Sequence, residues 1–306
     1  MKISVIGAGN VGGLAAARIA AENDASVYLI DIAPKLAAAK AFDIEDSRAL
    51  LLRDAAVCGS EHLEDIKDSS VIVVTAGLAR KPGMTREDLL QKNCQILAGI
   101  SAHIRRHAPQ AIVIVVTNPL DAMTYFMFRK LGFGRSRVFG MGVTLDASRF
   151  ANLIAKELSQ PVTAVRASVI GSHGEAMMPL PRFSTVNGKK LTDIMTTGQI
   201  DSLVNRTVNR GKEIVSLYGT GSAYFAPSAA IAQIVKAVAA DSRIQLGVSA
   251  YLEGEYGLDG ICVGVPCVIG KNGIETIVPL ELNAQEHAQM KASADSIKEL
   301  VSLLAL

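Results

Sequence analysis

Of the five histidines in this chain, one stands in a setting suited to proton transfer. His173 lies in VIGSHGEAM, where a strand-like run ends among glycines, so its imidazole can reach a cleft with little backbone in the way. An imidazole titrates near neutral pH, and a carboxylate beside it orients the ring and stabilises its charged form. GMGVTLDASRF supplies Asp146 and, three residues on, Arg149, neighbours on one face near the start of a helix. A guanidinium there can grip a carboxylate through two parallel hydrogen bonds. The spacing alone also allows a plain surface ion pair between Asp146 and Arg149. Three more cations, Arg80, Lys81 and Arg86, surround a Pro-Gly turn in GLARKPGMTREDLL, just after an apolar run.

A second kind of chemistry is written near the start. Gly7, Gly9 and Gly12 form G-x-G-x-x-G between the strand-like KISVI and an Ala-rich helical stretch opened by Asn10 and Val11. The first glycine allows a tight turn, the second lets backbone approach a pyrophosphate, and the third lets helix and strand pack closely. The helix N-terminus offers free N–H groups to phosphate. Asp31 ends the next strand about twenty residues on, where a carboxylate can accept both ribose hydroxyls. That charge repels a 2′-phosphate, so NAD is expected in preference to NADP; Lys35 nearby could soften the preference.

The other titratable groups carry no comparable pattern. His103 and His107 sit at i and i+4 on a helix, a spacing that can bind metal, but Arg105 and Arg106 lie between them and would repel a cation. This pair reads as a solvated face, and His62 and His287 lie in polar stretches. Cys58, Cys94, Cys262 and Cys267 lack metal-ligand spacing and read as reduced structural thiols. No metal is expected.

The elements that must hold these groups follow from periodicity. KISVI, SVYLID, SSVIVVTAG and AIVIVVTNP are apolar on both faces and separated by helical stretches, which indicates a parallel sheet covered on both sides. The second half differs: TVNGKKL and IGKNGIE each place Asn-Gly between extended segments, a strong hairpin signal, and GICVGVPCVIG and ETIVPLEL read as antiparallel strands. The expected fold is a Rossmann-type doubly wound α/β sheet over 1–144, followed by an α+β substrate domain with antiparallel hairpins over 145–306, the change falling near residues 142–146. Met290, Ala294, Ile297, Val301 and Leu304 make an apolar stripe on a closing helix, read as core or domain docking.

Composition narrows the classes. The 306 residues are 49% hydrophobic and 20% charged, with a formal net charge of +2. There is no basic footprint for nucleic acid, and no apolar run reaches the ~18 residues of a membrane span. The short N-terminal apolar stretch runs into the glycine loop and does not read as a secretion signal. A cytoplasmic protein is expected.

GAGNVG, LID, VVTAGLARKPGMTREDLL, VVTNPLD, LDASRF, GSHGE and GEYGLDGICVGVP occur in that order along nearly the whole chain. In them the chain resembles the lactate/malate dehydrogenase family, most closely the malate dehydrogenases that look like lactate dehydrogenases. The resemblance implies NAD-dependent, reversible oxidation of (S)-malate to oxaloacetate, with His173 as acid/base and Asp146 as its partner. It implies that Arg149 binds the C1 carboxylate, that Asn118 positions the substrate oxygen, with a cis Asn-Pro bond, and that residues 77–90 form a lid. On that lid Arg86 matches the arginine that polarises the reacting carbonyl, and Arg80 the position that selects malate over lactate. Thr75, Ala76 and Gly77 match the strand end beneath the dinucleotide, and Asn93, Val116 and Asn118 are also assigned to the cofactor. A homodimer or homotetramer is implied.

Where the family usually has Gly-Gly-His-Gly-Asp, this chain has Gly171-Ser172-His173-Gly174-Glu175. Ser172 is small and Glu175 keeps the acidic character, so the acid/base role is expected to survive. NAD-dependent glycosidases share the architecture but need a metal held by Cys and His, and no cysteine here falls beside the matched motifs. An inactive nucleotide-binding module would have no use for His173, Asp146, Arg149, Arg86 and Asn118 together.

Overall fold

The structure, a computed structural model, describes residues 1–33, 35–78 and 85–304, without the side chain of Arg86. Arg80 and the side chain of Arg86 therefore lie outside the described residues. The β-branched runs form parallel strands β1 (Lys2–Ile6), β2 (Ser26–Ile30), β4 (Val71–Val74) and β5 (Ile112–Val115). Two further parallel strands, β3 (Val57–Ser60) and β6 (Val138–Gly140), carry no long β-branched run and are not marked by periodicity. The spatial order is β3-β2-β1-β4-β5-β6, and each neighbouring pair is parallel. The winding reverses between β1 and β4, which opens a crevice at the carboxyl ends of the strands.

Helices cover this sheet: α1 (Asn10–Glu22), α2 (Leu36–Leu51), α3 (Arg86–His107) and α4 (Leu120–Leu131). α1 presents Gly12, Ala15, Ala16, Ile19 and Ala20 to the core; the glycine and alanines bring it close to the sheet. α3 starts at a reciprocal cap between Thr85 and Asp88. α4 is buried from Leu120 to Met127, with its cations Arg129 and Lys130 confined to the last turn, and packs against α3, β5 and β6. A helix buried over two turns on every side belongs at the centre of a fold, and Asp121 in its first turn is carried into the interior with it.

The second half comprises α5 (Val143–Glu157), β7 (Val165–Arg166), β8 (Val169–Gly171), β9 (Met177–Pro179), β10 (Thr185–Val186), β11 (Lys189–Lys190), α6 (Leu191–Ile194), α7 (Thr197–Tyr218), α8 (Phe225–Ala239), β12 (Ile244–Glu253), β13 (Asp259–Gly270), β14 (Gly273–Ile277) and α9 (Ala284–Ser302). α5 begins behind Gly142, whose φ of 49° turns the chain. The sheet continues across this point. β6 pairs with β12 antiparallel at Gly140 and Ser249, and β13, β8 and β9 extend it, so that eleven strands among the described residues make one sheet. One apolar cluster includes Ile3 and Val5 of β1, Ile231 of α8, Val263 of β13 and Met290 of α9.

Asn187 and Gly188 take φ of 49° and 78° and close the β10–β11 hairpin, as Asn-Gly does in a two-residue turn. In IGKNGIE the hairpin also forms, but one residue earlier than the Asn-Gly pair suggests. Gly270 pairs with Gly273, leaving Lys271 and Asn272 as the turn, and Gly273 takes a φ of 91°; the register shifts further along, between Val268 and Ile269. ETIVPLEL is strand only to Ile277; beyond it Val278 still donates to Pro266 but the ladder ends. In α9 Met290, Ala294 and Ile297 are buried and Val301 packs against the core; the helix ends at Ser302, so Leu304, expected on the same stripe, packs from beyond its end.

Candidate active site

β8 ends at Gly171 (φ 89°), and the chain leaves the sheet through Ser172, His173 and Gly174 (φ 130°). A side chain at 171 would meet the hydroxyl of Ser293 at 2.8 Å, so only glycine permits this exit. α5 brings Asp146 to the same point. His173 Nδ1 lies 2.7 Å from Asp146 Oδ2, and the Asp146 side chain is fully buried. With Asp146 ionised, Nδ1 carries hydrogen and donates, which leaves Nε2 as the atom that exchanges protons with a bound molecule. Burial by itself pulls the imidazolium down, but the charge and hydrogen bond of Asp146, helped by Asp121, outweigh it and hold His173 above its ordinary range.

Arg149 shares that carboxylate, its Nη1 donating to Asp146 Oδ1 at 3.3 Å. The open alternative of a surface ion pair is settled by depth, since the Arg149 side chain is 13% exposed and Asp146 0%. Arg149 Nε is buried and has no partner among the described residues. Burial lowers the guanidinium from its ordinary value against the opposing pull of Asp146. A cation held this deep with a donor unspent is a site for an anion. Arg149 and His173 line a cavity of about 520 Å³ together with Val116, Asn118, Glu175 and Lys212. The Asn118–Pro119 bond is cis.

A second cavity, of about 750 Å³, opens over the glycine turn. Gly7 has φ of 104°, and a Cβ there would sit 2.7 Å from the Ala76 nitrogen. A Cβ on Gly12 would run into the carbonyl oxygen of Gly7. One on Gly9 would meet nothing within 4 Å; the protein itself does not need that glycine, and its bare face is open to a phosphate. No side chain caps α1, so its first-turn N–H groups are available to an anion. Asn10, Val11, Asp31, Thr75, Ala76 and Gly77 line the same cavity. Asp31 accepts from the backbone of Ala8 at 2.6 Å and of Ala33 at 2.8 Å, which fixes its carboxylate at the end of β2 with lone pairs to spare for ribose. Val11, Thr75, Gly77, Leu78 and Ser222 line both cavities, so the two are continuous and fit a dinucleotide whose far end reaches His173.

Gly12→Ala is expected to cost about 1–3 kcal/mol through overpacking of α1 against the turn. Its thermal unfolding should fall below that of the wild type and its NADH affinity with it; an unchanged melting temperature would count against the close packing described.

Asn93 stands behind the cleft. Its fully buried amide accepts from the Leu78 N–H at 2.8 Å and donates to the Asn118 carbonyl at 2.7 Å, bracing the two segments that edge the cavities. The His103–His107 face, expected to be solvated, is half-buried, while His62 and His287 are exposed. The Leu63–Ile66 turn packs on α3 and brings Glu64 to 3.5 Å from His103 Nδ1, and His103 lines the larger cavity. Potential ligand atoms of Glu64, His103 and His107 lie within 4.8 Å of one another, so the expectation of no metal here rests on Arg105 and Arg106 alone. All four cysteines are free thiols.

Sequence reasoning missed three contributors. Asp121 lies under the His173 turn; its signal was present, since VVTNPLD places it three residues after Asn118. Lys212 of α7 pairs with Glu175 at 3.0 Å over the smaller cavity, and Ser222, in the α7–α8 connection, lines both. Neither of the last two stands in a recognisable pattern.

The sequence profile described as "lactate/malate dehydrogenase, NAD binding domain" matches residues 1–140, and that described as "lactate/malate dehydrogenase, alpha/beta C-terminal domain" matches 143–304. The chain is 45% identical over 305 residues to a malate dehydrogenase of Methanosarcina barkeri, covering 100% of this chain and 99% of the relative. It is 42% identical to that of Bacillus subtilis over 99% and 98%. Among solved structures, the apo malate dehydrogenase of Picrophilus torridus superposes with a TM-score of 0.96 at 40% identity, covering 99% of this chain and 96% of the other. The lactate dehydrogenase of Cryptosporidium parvum, complexed with lactic acid and NAD, gives 0.95 at 35% identity, over 99% and 97%.

Proposed function

Because the chain belongs to the lactate/malate dehydrogenase family, we propose that it is an NAD-dependent malate dehydrogenase that interconverts (S)-malate and oxaloacetate. The observation that carries this reading is the buried, half-spent guanidinium of Arg149 beside the His173–Asp146 pair, at the end of a dinucleotide-shaped cleft. Bound NAD supplies the hydride acceptor, and NADH the donor.

The chain's own residues do the rest. In malate oxidation neutral His173 takes the 2-hydroxyl proton on Nε2 while Asp146 holds the ring and balances the imidazolium that results. In oxaloacetate reduction His173 starts protonated and returns that proton. Arg149 grips the C1 carboxylate, and Asn118 orients the substrate oxygen. Arg86 polarises the carbonyl and Arg80 takes the second carboxylate as the 77–90 segment closes and excludes water; these two roles rest on the matched sequence frame. Gly7, Gly9, Asn10, Val11, Gly12, Asp31, Thr75, Ala76, Gly77, Asn93 and Val116 serve the cofactor. Residues 1–144 act as the NAD-binding unit and 145–306 as the substrate unit. The enzyme works in the cytoplasm as a homodimer or homotetramer, a reading supported by exposed apolar residues such as Phe42, Leu50 and Leu52 on and after α2. No helix of the described residues is long and apolar enough to cross a membrane.

The test is a spectrophotometric NADH assay comparing oxaloacetate with pyruvate, repeated with NADPH. Oxaloacetate and NADH should be preferred, and a preference for pyruvate would overturn the assignment. The pH dependence has a defined sign. His173 is held above its ordinary value, so oxaloacetate reduction, which needs the imidazolium, should persist above about pH 6.5 and fall only as pH rises through the raised value. Malate oxidation, which needs neutral imidazole, should rise across the same interval. An alkaline limb below the ordinary histidine range would contradict the Asp146 pairing.

A further inference from the structure

The His173 turn is held from below by a second carboxylate that the mechanism does not use. Asp121, fully buried in the first turn of α4, accepts the backbone N–H of His173 on Oδ2 at 2.7 Å. The same oxygen accepts the Ser172 hydroxyl at 3.2 Å, and Oδ1 accepts the Ser249 hydroxyl of β12 at 2.6 Å. Burial raises the Asp121 carboxyl above its ordinary value, and the three donors converging on its two oxygens pull it back toward the ionised form. The preceding N–H, that of Ser172, goes to the Ser293 hydroxyl of α9 at 2.7 Å. Two successive amides of the turn are thus pinned to two different helices, between Gly171 and Gly174, both at positive φ. Asp121 also stands three residues beyond Asn118, one turn of chain from the cis Asn118–Pro119 bond.

We propose that Asp121 is a positioning residue: it locks the His173 turn in register with Asn118, and its buried negative charge acts on the same imidazole as Asp146. This rests on His173 being the acid/base. The geometry explains the Ser172 departure, because the hydroxyl that replaces a glycine hydrogen is spent on Asp121 and does not enter the cavity. It also explains why a carboxylate occupies the buried first turn of α4, where it would be costly without its donors.

The charged and titratable groups around His173 are Asp146 and Arg149 from α5, Asp121 from α4, and the Glu175–Lys212 pair beside the same cavity. Cys262 of β13 is near Asp121, and burial keeps its thiol neutral. Asp146 and Asp121 both favour the imidazolium, whereas Arg149 opposes it. Removing Asp121's charge must therefore move the imidazolium's loss to lower pH.

Asp121→Asn keeps the volume and an oxygen for the His173 amide but removes the charge. It is expected to lower kcat for oxaloacetate reduction about tenfold or more with NADH affinity little changed. The alkaline limb of the pH profile should move toward acid by roughly half a pH unit or more. The limb is decisive: a folded Asp121→Asn whose alkaline limb coincides with that of the wild type overturns the proposal, whatever happens to kcat, because a merely structural role would leave the limb in place. If Asp121→Asn does not fold, Asp121→Ser, which leaves room for a water between Ser249 and the His173 amide, is read by the same criterion. Wild type that fails to turn over oxaloacetate would instead refute the function on which the proposal rests.

Discussion

Replacing His173 by asparagine is expected to reduce turnover of oxaloacetate and malate by roughly 10²–10⁴-fold, the range a positioned general acid/base supplies, with NADH binding largely intact. Asparagine is the informative choice. Asp146 is fully buried, and its two described partners are His173 and Arg149. Alanine would take one of them away and leave a buried carboxylate short of a donor, at a cost of about 1–3 kcal/mol. The asparagine amide can still donate toward Oδ2, so that folding is spared and the missing chemistry is isolated. The cofactor cleft is built from the β1–α1 turn, the end of β2 and the end of β4, none of which the substitution touches. Steady-state rates with NADH fluorescence titration and thermal unfolding on the same sample are the measurements. A folded variant that binds NADH and keeps most of its turnover would refute the acid/base role.

Arg80→Gln should produce the other large effect, a collapse of oxaloacetate kcat/KM with a rise in relative activity on pyruvate. Oxaloacetate carries two carboxylates, and Arg149 with its single unspent buried Nε can serve one end. The other end needs a second cation. With arginine at position 80, a substrate bearing a methyl group there would bury a guanidinium without a partner, a penalty of several kcal/mol. Sites built for a polar partner reject the analogue lacking it by roughly 10⁴–10⁵-fold. With glutamine the penalty falls on the dicarboxylate. The quantity to compare is the ratio of kcat/KM values for oxaloacetate and pyruvate in wild type and variant. An unchanged ratio would mean that charge balance at residue 80 is not the filter.

What the chain alone determined was local. The β-branched runs, the glycine turn followed by Asp31, the Asn187-Gly188 hairpin and the α9 stripe each depend on a few consecutive residues, on backbone sterics and on side-chain period. These interactions are short-range, so their outcome is written where they act. Even there the turn formed at Lys271–Asn272, one residue early, because the β13–β14 pairing that joins Gly270 to Gly273 sets the register. Motif order further picked out His173, Asp146, Arg149 and Asn118 as partners in one site.

The tertiary structure alone decided depth and junction. The Asp146–Arg149 pair could have been a solvated rung of a helix and is instead a buried anion site, because α5 packs against β8 and α7. The His103–His107 face became half-buried when the Leu63–Ile66 turn, far earlier in the chain, packed on α3 and brought Glu64 against it. Asp121 meets His173 across 52 residues and Ser249 across 128. Such contacts have no local signature: whether a polar group is satisfied or stranded depends on which distant element packs over it, and that is fixed only when the whole core closes.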